Sequence, residues 1–189
     1  MKNTLFIALL MLSQSVLAEW VLDNKASTLD FTTTKNVSKT EVQSFNSMQG
    51  QIKGNKATIT VDLSSVDTGI EIRDQRIQEL LFKVVKFPSA TATINIKESD
   101  VKLMKTGQVK NMQVDAVIDL HGVKQTAPVR VQIVALAKNS RLVISTHPVI
   151  INLTNYNLIK GVNALRDIAK LKSINAAVPV TFSLLFTQK

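Results

Sequence analysis

Cysteine is absent from the 189 residues, and histidine, proline, glycine, tryptophan and tyrosine are scarce, at two, four, six, one and one. Without cysteine there is no disulfide scaffold, no thiolate-held zinc or iron–sulfur centre and no thiol nucleophile. The two histidines, His121 and His147, leave little for a multi-histidine metal centre. They sit beside Gly122 and Pro148 at spacings that make no metal motif, so no metal ligands are assigned. Also missing are a Gly-x-Ser-x-Gly elbow, a His-Glu-x-x-His pair and a glycine-rich phosphate loop. A Ser/His/Asp triad would have to draw on one of those two histidines. Asp115 and Asp119 share a strand face, but their alternation with apolar residues points them to solvent. No catalytic residue is assigned. No repeat of roughly 20–50 residues and no Pro- or Ser-rich linker divides the chain.

What is present begins with a leader. Lys2 supplies a positive start, residues 5–12 an apolar run, and Val16-Leu17-Ala18 the small-residue pattern of a secretory cleavage site. The apolar run falls short of the ~20 residues that span a bilayer. Residues 1–18 are therefore expected to be a cleaved signal peptide, and 19–189 a single exported domain of the periplasm. Hydrophobic residues make up 45% of the chain, enough for a sizeable core. The formal charge is +9, or +8 once Lys2 has left with the leader. No cluster of Lys and Arg is interleaved with aromatics, so nucleic acid is not an expected partner. An anionic membrane surface is the more natural target of weak attraction.

Alternation of period two recurs from end to end, the pattern of half-buried strands. It pairs Leu29 with Phe31, and lines up Ala57, Ile59, Val61 and Leu63. Ala92, Ile94 and Ile96 follow, then the long run Met112, Val114, Ala116, Ile118 and Leu120. Val129, Val131, Ile133 and Ala135 come next, and Val178, Val180, Phe182, Leu184 and Phe186 close the chain. Residues 142–144 and 149–153 read as shorter or more buried strands. Two stretches keep a helical spacing instead. Over 74–84 it runs through Ile77, Leu80, Leu81 and Val84, ending before Pro88. Over 162–171 it runs through Val162, Leu165 and Ile168. The composition and pattern predict an all-β domain of antiparallel strands, barrel or sandwich, with two short helical excursions.

Several segments, taken in order, resemble the YceI-like family of exported, lipocalin-like, polyisoprenoid-binding proteins. They are Ser27-Thr28-Leu29-Asp30-Phe31, then Phe45-Asn46-Ser47-Met48-Gln49-Gly50-Gln51-Ile52. The most specific part is 61–88, with Ser65-Val66-Asp67-Thr68, Arg73-Asp74, Leu81-Phe82 and Lys86-Phe87-Pro88. Asp119-Leu120-His121-Gly122-Val123-Lys124 completes the set. Two departures stand out: Gln43 occupies a position where the family often carries Gly, and 156–176 replaces a shorter connection.

The resemblance implies an eight-stranded antiparallel lipocalin-like barrel around an apolar tunnel for an isoprenoid lipid, such as a quinone tail or polyprenyl chain. The lining it implies is Phe31, Phe45, Leu81, Phe82, Phe87, Ile94, Val114, Ile118 and Phe182. No cofactor is required; the bound lipid is the expected ligand, and pairing into a homodimer is left open. Each feature has a plainer reading. Phe31, Phe82 and Phe182 also suit an ordinary core. Arg73-Asp74 suits a helix cap with a local ion pair as well as a head-group contact, and the 162–171 helix a packed lid as well as a membrane contact. Two other functions fit the same residues: an envelope surface protein with a solid barrel and basic exterior, and an enzyme acting on a held lipid.

Overall fold

The computed structural model describes residues 19–97 and 99–189; the expected signal peptide lies outside the described residues. Twelve strands make eight staves, because four staves are broken by a short turn. The first stave is β1 (Glu19–Leu22) and β2 (Thr28–Lys35), separated by a 3-10 turn that Asp23 caps through the Lys25 and Ala26 amides. β3 (Lys39–Phe45) with β4 (Met48–Lys53) form the second, and β5 (Lys56–Asp62) with β6 (Val66–Asp67) the third. β7 (Ser89–Asn95), β8 (Val109–Leu120) and β9 (Val123–Leu136) follow. The last two staves are β10 (Ser140–Ser145) with β11 (Val149–Asn152), and β12 (Ala177–Gln188).

Each stave pairs antiparallel with the next, and β12 returns to the first, with Phe186 opposite Leu22 and Phe182 opposite Leu29. The sheet therefore closes into the eight-stranded barrel, which leaves few free edges. The longest hairpin, β8–β9, turns in two residues. His121 (φ 55°) and Gly122 (φ 76°) both take the left-handed conformation that matches the twist of its arms. Alternation then sorts the faces: Ala57, Ile59, Ile94, Val114 and Ile118 point inward, while Gln49, Gln51, Asp115 and Arg130 are exposed outside.

The helices lie at the ends. The first excursion is α1 (Glu71–Arg76), which passes into a π-helical turn over Ile77–Phe82 and stops at Lys83 in a left-handed conformation (φ 52°). It starts earlier than the sequence spacing indicates and ends well before Pro88. A small α2 (Ser99–Lys102) that the spacing does not reveal packs at the opposite end. The second excursion is α3 (Ile159–Ile168), shifted three residues toward the N-terminus of the expected span, because Lys170 turns left-handed (φ 52°). α3 lies directly on the π turn at Gly161, where an added Cβ would come within 2.6 Å of the Leu80 carbonyl oxygen and 2.7 Å of Leu81 Cα. Only glycine permits that approach.

Candidate functional site: an apolar cavity with a polar mouth

The barrel is hollow. A cavity of about 490 Å³ runs along its interior, within the ~300–1,000 Å³ usual for ligand sites. The inward side chains show it directly: Leu29, Ile59, Ile94, Val114, Ile118 and Phe182 face the barrel axis yet are only half-buried. In a filled barrel they would be covered by one another. A solid core is thus not what this sequence builds.

Eight of the nine residues expected to line the tunnel do line the cavity: Phe31, Phe45, Leu81, Phe82, Ile94, Val114, Ile118 and Phe182. Three of them form an aromatic run near the helical end. Phe31 and Phe45 have ring centroids 5.1 Å apart, and Phe45 and Phe82 5.9 Å, both within the favourable range. Phe87 is the exception and corrects the expectation. It lies outside β7, before the inward–outward alternation of Ala90, Ala92 and Ile94 begins. Its ring instead meets the His121 ring at a tilt (centroids 4.2 Å, 47°) and sits beside Lys86 Nζ (5.2 Å), against the β8–β9 turn. His121 Nε2 is buried there without a partner. Burial, and then the charge of Lys83, hold this imidazole below its ordinary 6.5, outweighing a hydrogen bond with the Tyr156 backbone.

One end of the cavity is sealed. Trp20, Val101 and Met104 pack there, and the buried Arg141 lies over the Trp20 ring at 4.6 Å. Its guanidinium donates to the carbonyls of Val101 (2.9 Å), Met104 (3.0 Å) and Ser140 (2.9 Å), tying the α2 region to β10. The other end, between α1, the π turn, α3 and the β2–β3 hairpin, is the mouth. There the lining includes Ile70, Ile72 and Ile168, which are 50%, 53% and 47% exposed.

A charged cluster sits at one side of the mouth. Glu41 receives Lys35 Nζ at 2.5 Å and Arg73 Nη1 at 2.7 Å, with Lys39 Nζ at 3.3 Å. The hydrogen bond from Lys35 does most to hold the Glu41 carboxyl at about 2, with Lys39 and the charge of Arg73 adding to it against the cost of burial. Arg73 also donates from Nε to Thr68 Oγ1 (2.7 Å) and from Nη2 to the Thr68 carbonyl. Its ion pair therefore spans 32 residues of chain and is not local. Nor does Asp74 cap α1, whose N-cap is Ile70; its carboxylate accepts from the Thr68 amide (3.0 Å) and hydroxyl. The pair is a fastening between α1, the loop before it and β3. Among the described residues no three His, Asp or Glu gather in a metal-binding group.

Residues missed by pattern reading are the polar ones on inward positions. Thr33, Lys35 and Gln43 line the cavity, as does Arg76. Period two, counted from Leu29 and Phe31, places Thr33 and Lys35 on the same face, so the position was legible even though polarity argued against it.

Among solved structures, a polyisoprenoid binding domain from Saccharophagus degradans, implicated in plant cell wall breakdown, is 31% identical. It matches with a TM-score of 0.88 over 92% of this chain and 99% of that one. BcnA from Burkholderia cenocepacia shares the fold at 17% identity, with a TM-score of 0.68 over 87% and 98%. A Campylobacter jejuni YceI protein does so at 13% identity and 0.53, over 78% and 84%. Comparison with curated proteins finds no match. The model of the YceI-like domain matches residues 20–186, nearly all of the barrel from β1 into β12, and the chain belongs to that family.

Proposed function

We propose that this protein is a non-enzymatic carrier of an isoprenoid lipid, a quinone tail or polyprenyl chain, exported to the periplasm and exchanging its cargo with a membrane. The observation that carries the reading is the hollow barrel: a long apolar cavity, sealed at one end and open at the other, suits a slender hydrocarbon chain. The relative from Saccharophagus degradans described as polyisoprenoid binding supports it. The apolar leader, residues 5–12, supports export.

Energetics favour exchange over irreversible capture. At ~0.8 kcal/mol per buried CH₂, a chain of ~40 carbons leaving water would gain ~30 kcal/mol, beyond the ~18–21 kcal/mol ceiling for non-covalent binding. Such a lipid starts in a bilayer, however, so the transfer is between two apolar media and the net gain is small. The mouth is built for the meeting. Ile70, Ile72 and Ile168 are exposed at its rim. Val37, 88% exposed, projects from the β2–β3 hairpin, whose tip is pinned to the segment after α3 by Asn36 N–H to the Ser173 carbonyl (3.0 Å). Lys39 on the β2–β3 hairpin, Arg76 at the end of α1, and Lys170 and Lys172 just after α3 belong to the elements that frame the mouth, a combination that suits an anionic lipid surface.

The test is to purify the protein from the periplasm without detergent, extract it with organic solvent and weigh the extract by mass spectrometry. A near-stoichiometric lipid with isoprene-spaced masses is expected. A folded, lipid-free protein that also refuses added polyprenyl lipid would refute the reading.

A further inference from the structure

The inward faces of β2 and β3 change character along the cavity. Deep inside stand Leu29, Phe31 and Phe45; at the mouth stand Lys35 and Glu41, met there by Arg73 of α1. Between them lie two neutral polar side chains, Thr33 and Gln43, both lining the cavity. Gln43 is only 4% exposed, and its Oε1 has no hydrogen-bond partner; Thr33 Oγ1 is likewise covered and unpartnered. Two orphaned polar atoms on one wall of a largely apolar cavity call for an explanation, because buried acceptors and hydroxyls are ordinarily satisfied.

The orientation of the amide is set by its neighbour. Gln43 Nε2 lies 3.5 Å from Glu41 Oε2. Rotating the amide would turn its carbonyl toward a carboxylate, so Oε1 is the free atom, and it can only accept. The nearby cations are committed: Lys35 and Arg73 both bond Glu41, and Arg73 also bonds Thr68. The register sets Phe31 opposite Gln43 and Thr33 opposite Glu41. Thr33 and Gln43 are therefore diagonal neighbours on one face, ~7 Å apart at the backbone, close enough for their side chains to reach one small group.

We propose that Thr33 and Gln43 form a head-group subsite for a hydroxyl, so that the preferred cargo is an isoprenoid bearing an O–H at its head: a polyprenol or a reduced quinone ring. This rests on the isoprenoid reading above and deepens it. A hydroxyl donates to Gln43 Oε1 and accepts from Thr33 Oγ1, meeting both orphans at once. The carbonyl of an oxidised quinone can only accept and leaves Gln43 unmet, while a bare hydrocarbon meets neither. The aromatic run of Phe31, Phe45 and Phe82 then receives the first isoprene units beyond the head.

The experiment compares three probes of equal chain length by displacement of a fluorescent apolar dye from delipidated protein: a polyprenol, the matching hydrocarbon without the hydroxyl, and the prenyl phosphate. The wild-type protein should bind the alcohol ~10-fold more tightly than the hydrocarbon, the size of one net hydrogen bond. In Gln43→Met, and independently in Thr33→Val, that ratio should fall toward 1, with folding verified by circular dichroism. Equal wild-type affinities, or a ratio that survives both substitutions, would overturn the subsite while leaving the isoprenoid reading in place. A phosphate that binds tighter than the alcohol, with the gain lost in Arg76→Gln and kept in Gln43→Met, would also overturn it in favour of an anionic head. Binding of none of the three would sink the isoprenoid reading itself.

Discussion

The two ends of the barrel each hold an arginine on an inward position, and they use it in opposite ways. At the sealed end the Arg141 guanidinium is buried, pairs with no carboxylate among the described residues, and donates hydrogen bonds to three backbone carbonyls. At the mouth Arg73 is partly buried, its side chain 24% exposed, and shares the Glu41 carboxylate with Lys35. The first arrangement cross-links distant backbone and sits under Trp20; it makes a plug. The second joins side chain to side chain, beside a rim of exposed isoleucines; it makes a fastening. The difference between a plug and a fastening lies in what the guanidinium is bonded to.

The largest effect should come from removing the plug. Arg141→Met leaves the Val101 and Met104 carbonyls buried and unpaired and should cost about 3 kcal/mol. That is a melting temperature lower by roughly 6–12 °C for a domain of this size. A shift under ~2 °C would mean that this end is held by packing alone. Next is the cavity wall: Ile118→Asp or Phe182→Asp should still fold, since each faces the hollow. Each should strip the protein of co-purified lipid, read by mass spectrometry of the extract. Full lipid content in either folded variant would move the binding path away from that wall.

At the mouth, Gly161→Ala forces a methyl group onto the Leu80–Leu81 backbone and should cost about 1–3 kcal/mol. Amide exchange should accelerate in α1, the π turn and α3 while the β8–β9 hairpin stays protected. Uniform acceleration would show that mouth and barrel open as one unit.

Acid should separate the ends further. His121 titrates below its ordinary 6.5 in the folded protein, so the unfolded chain takes up the proton first. Its contribution is complete above about pH 6.5 and is lost as the pH falls below that. Glu41, held at about 2 against an ordinary 4.5, contributes fully above 4.5 and loses its contribution as the pH falls toward 2. Both groups lie at the mouth end, whereas Arg141 has no carboxylate partner among the described residues. Protection against exchange, referred to the intrinsic rate at each pH, should therefore fall at the mouth first between pH 7 and 4, and His121→Phe should remove the upper part of that change. The smallest effect is at the hairpin tip. Val37 is a β-branched residue held at φ 73°, and Val37→Asn should stabilise the fold by about 1 kcal/mol or less while weakening attachment to anionic vesicles. Unaltered vesicle binding would remove Val37 from the docking rim.

The wall of the cavity was legible because it follows a local rule. Met112, Val114, Ala116, Ile118 and Leu120 declare their face by period two, and the structure keeps them there. Phe87 misled because it is aromatic and sits in a family-like segment, but it lies before the strand whose alternation would have aimed it inward. Thr33 and Gln43 were passed over for the reverse reason: their position pointed inward, while their chemistry suggested the surface. The π turn carried the apolar spacing of a helix, and nothing in Ile77–Phe82 itself announces the wider turn. α3 lies against it at Gly161, some 80 residues later in the chain.

By itself, then, the sequence determined that strands would form, which of their side chains would face inward, and that the interior would be apolar. Those are consequences of a backbone whose side chains alternate every residue. Only the tertiary structure decided that the interior is hollow, which end is sealed, and that two polar atoms are stranded along the wall. Each of those depends on groups brought together from far apart: Arg141 with Val101, Arg73 with Glu41, Gly161 with Leu80, Gln43 beside Phe31. Contacts across such separations leave no local period to read, because it is the closure of the barrel that places them side by side.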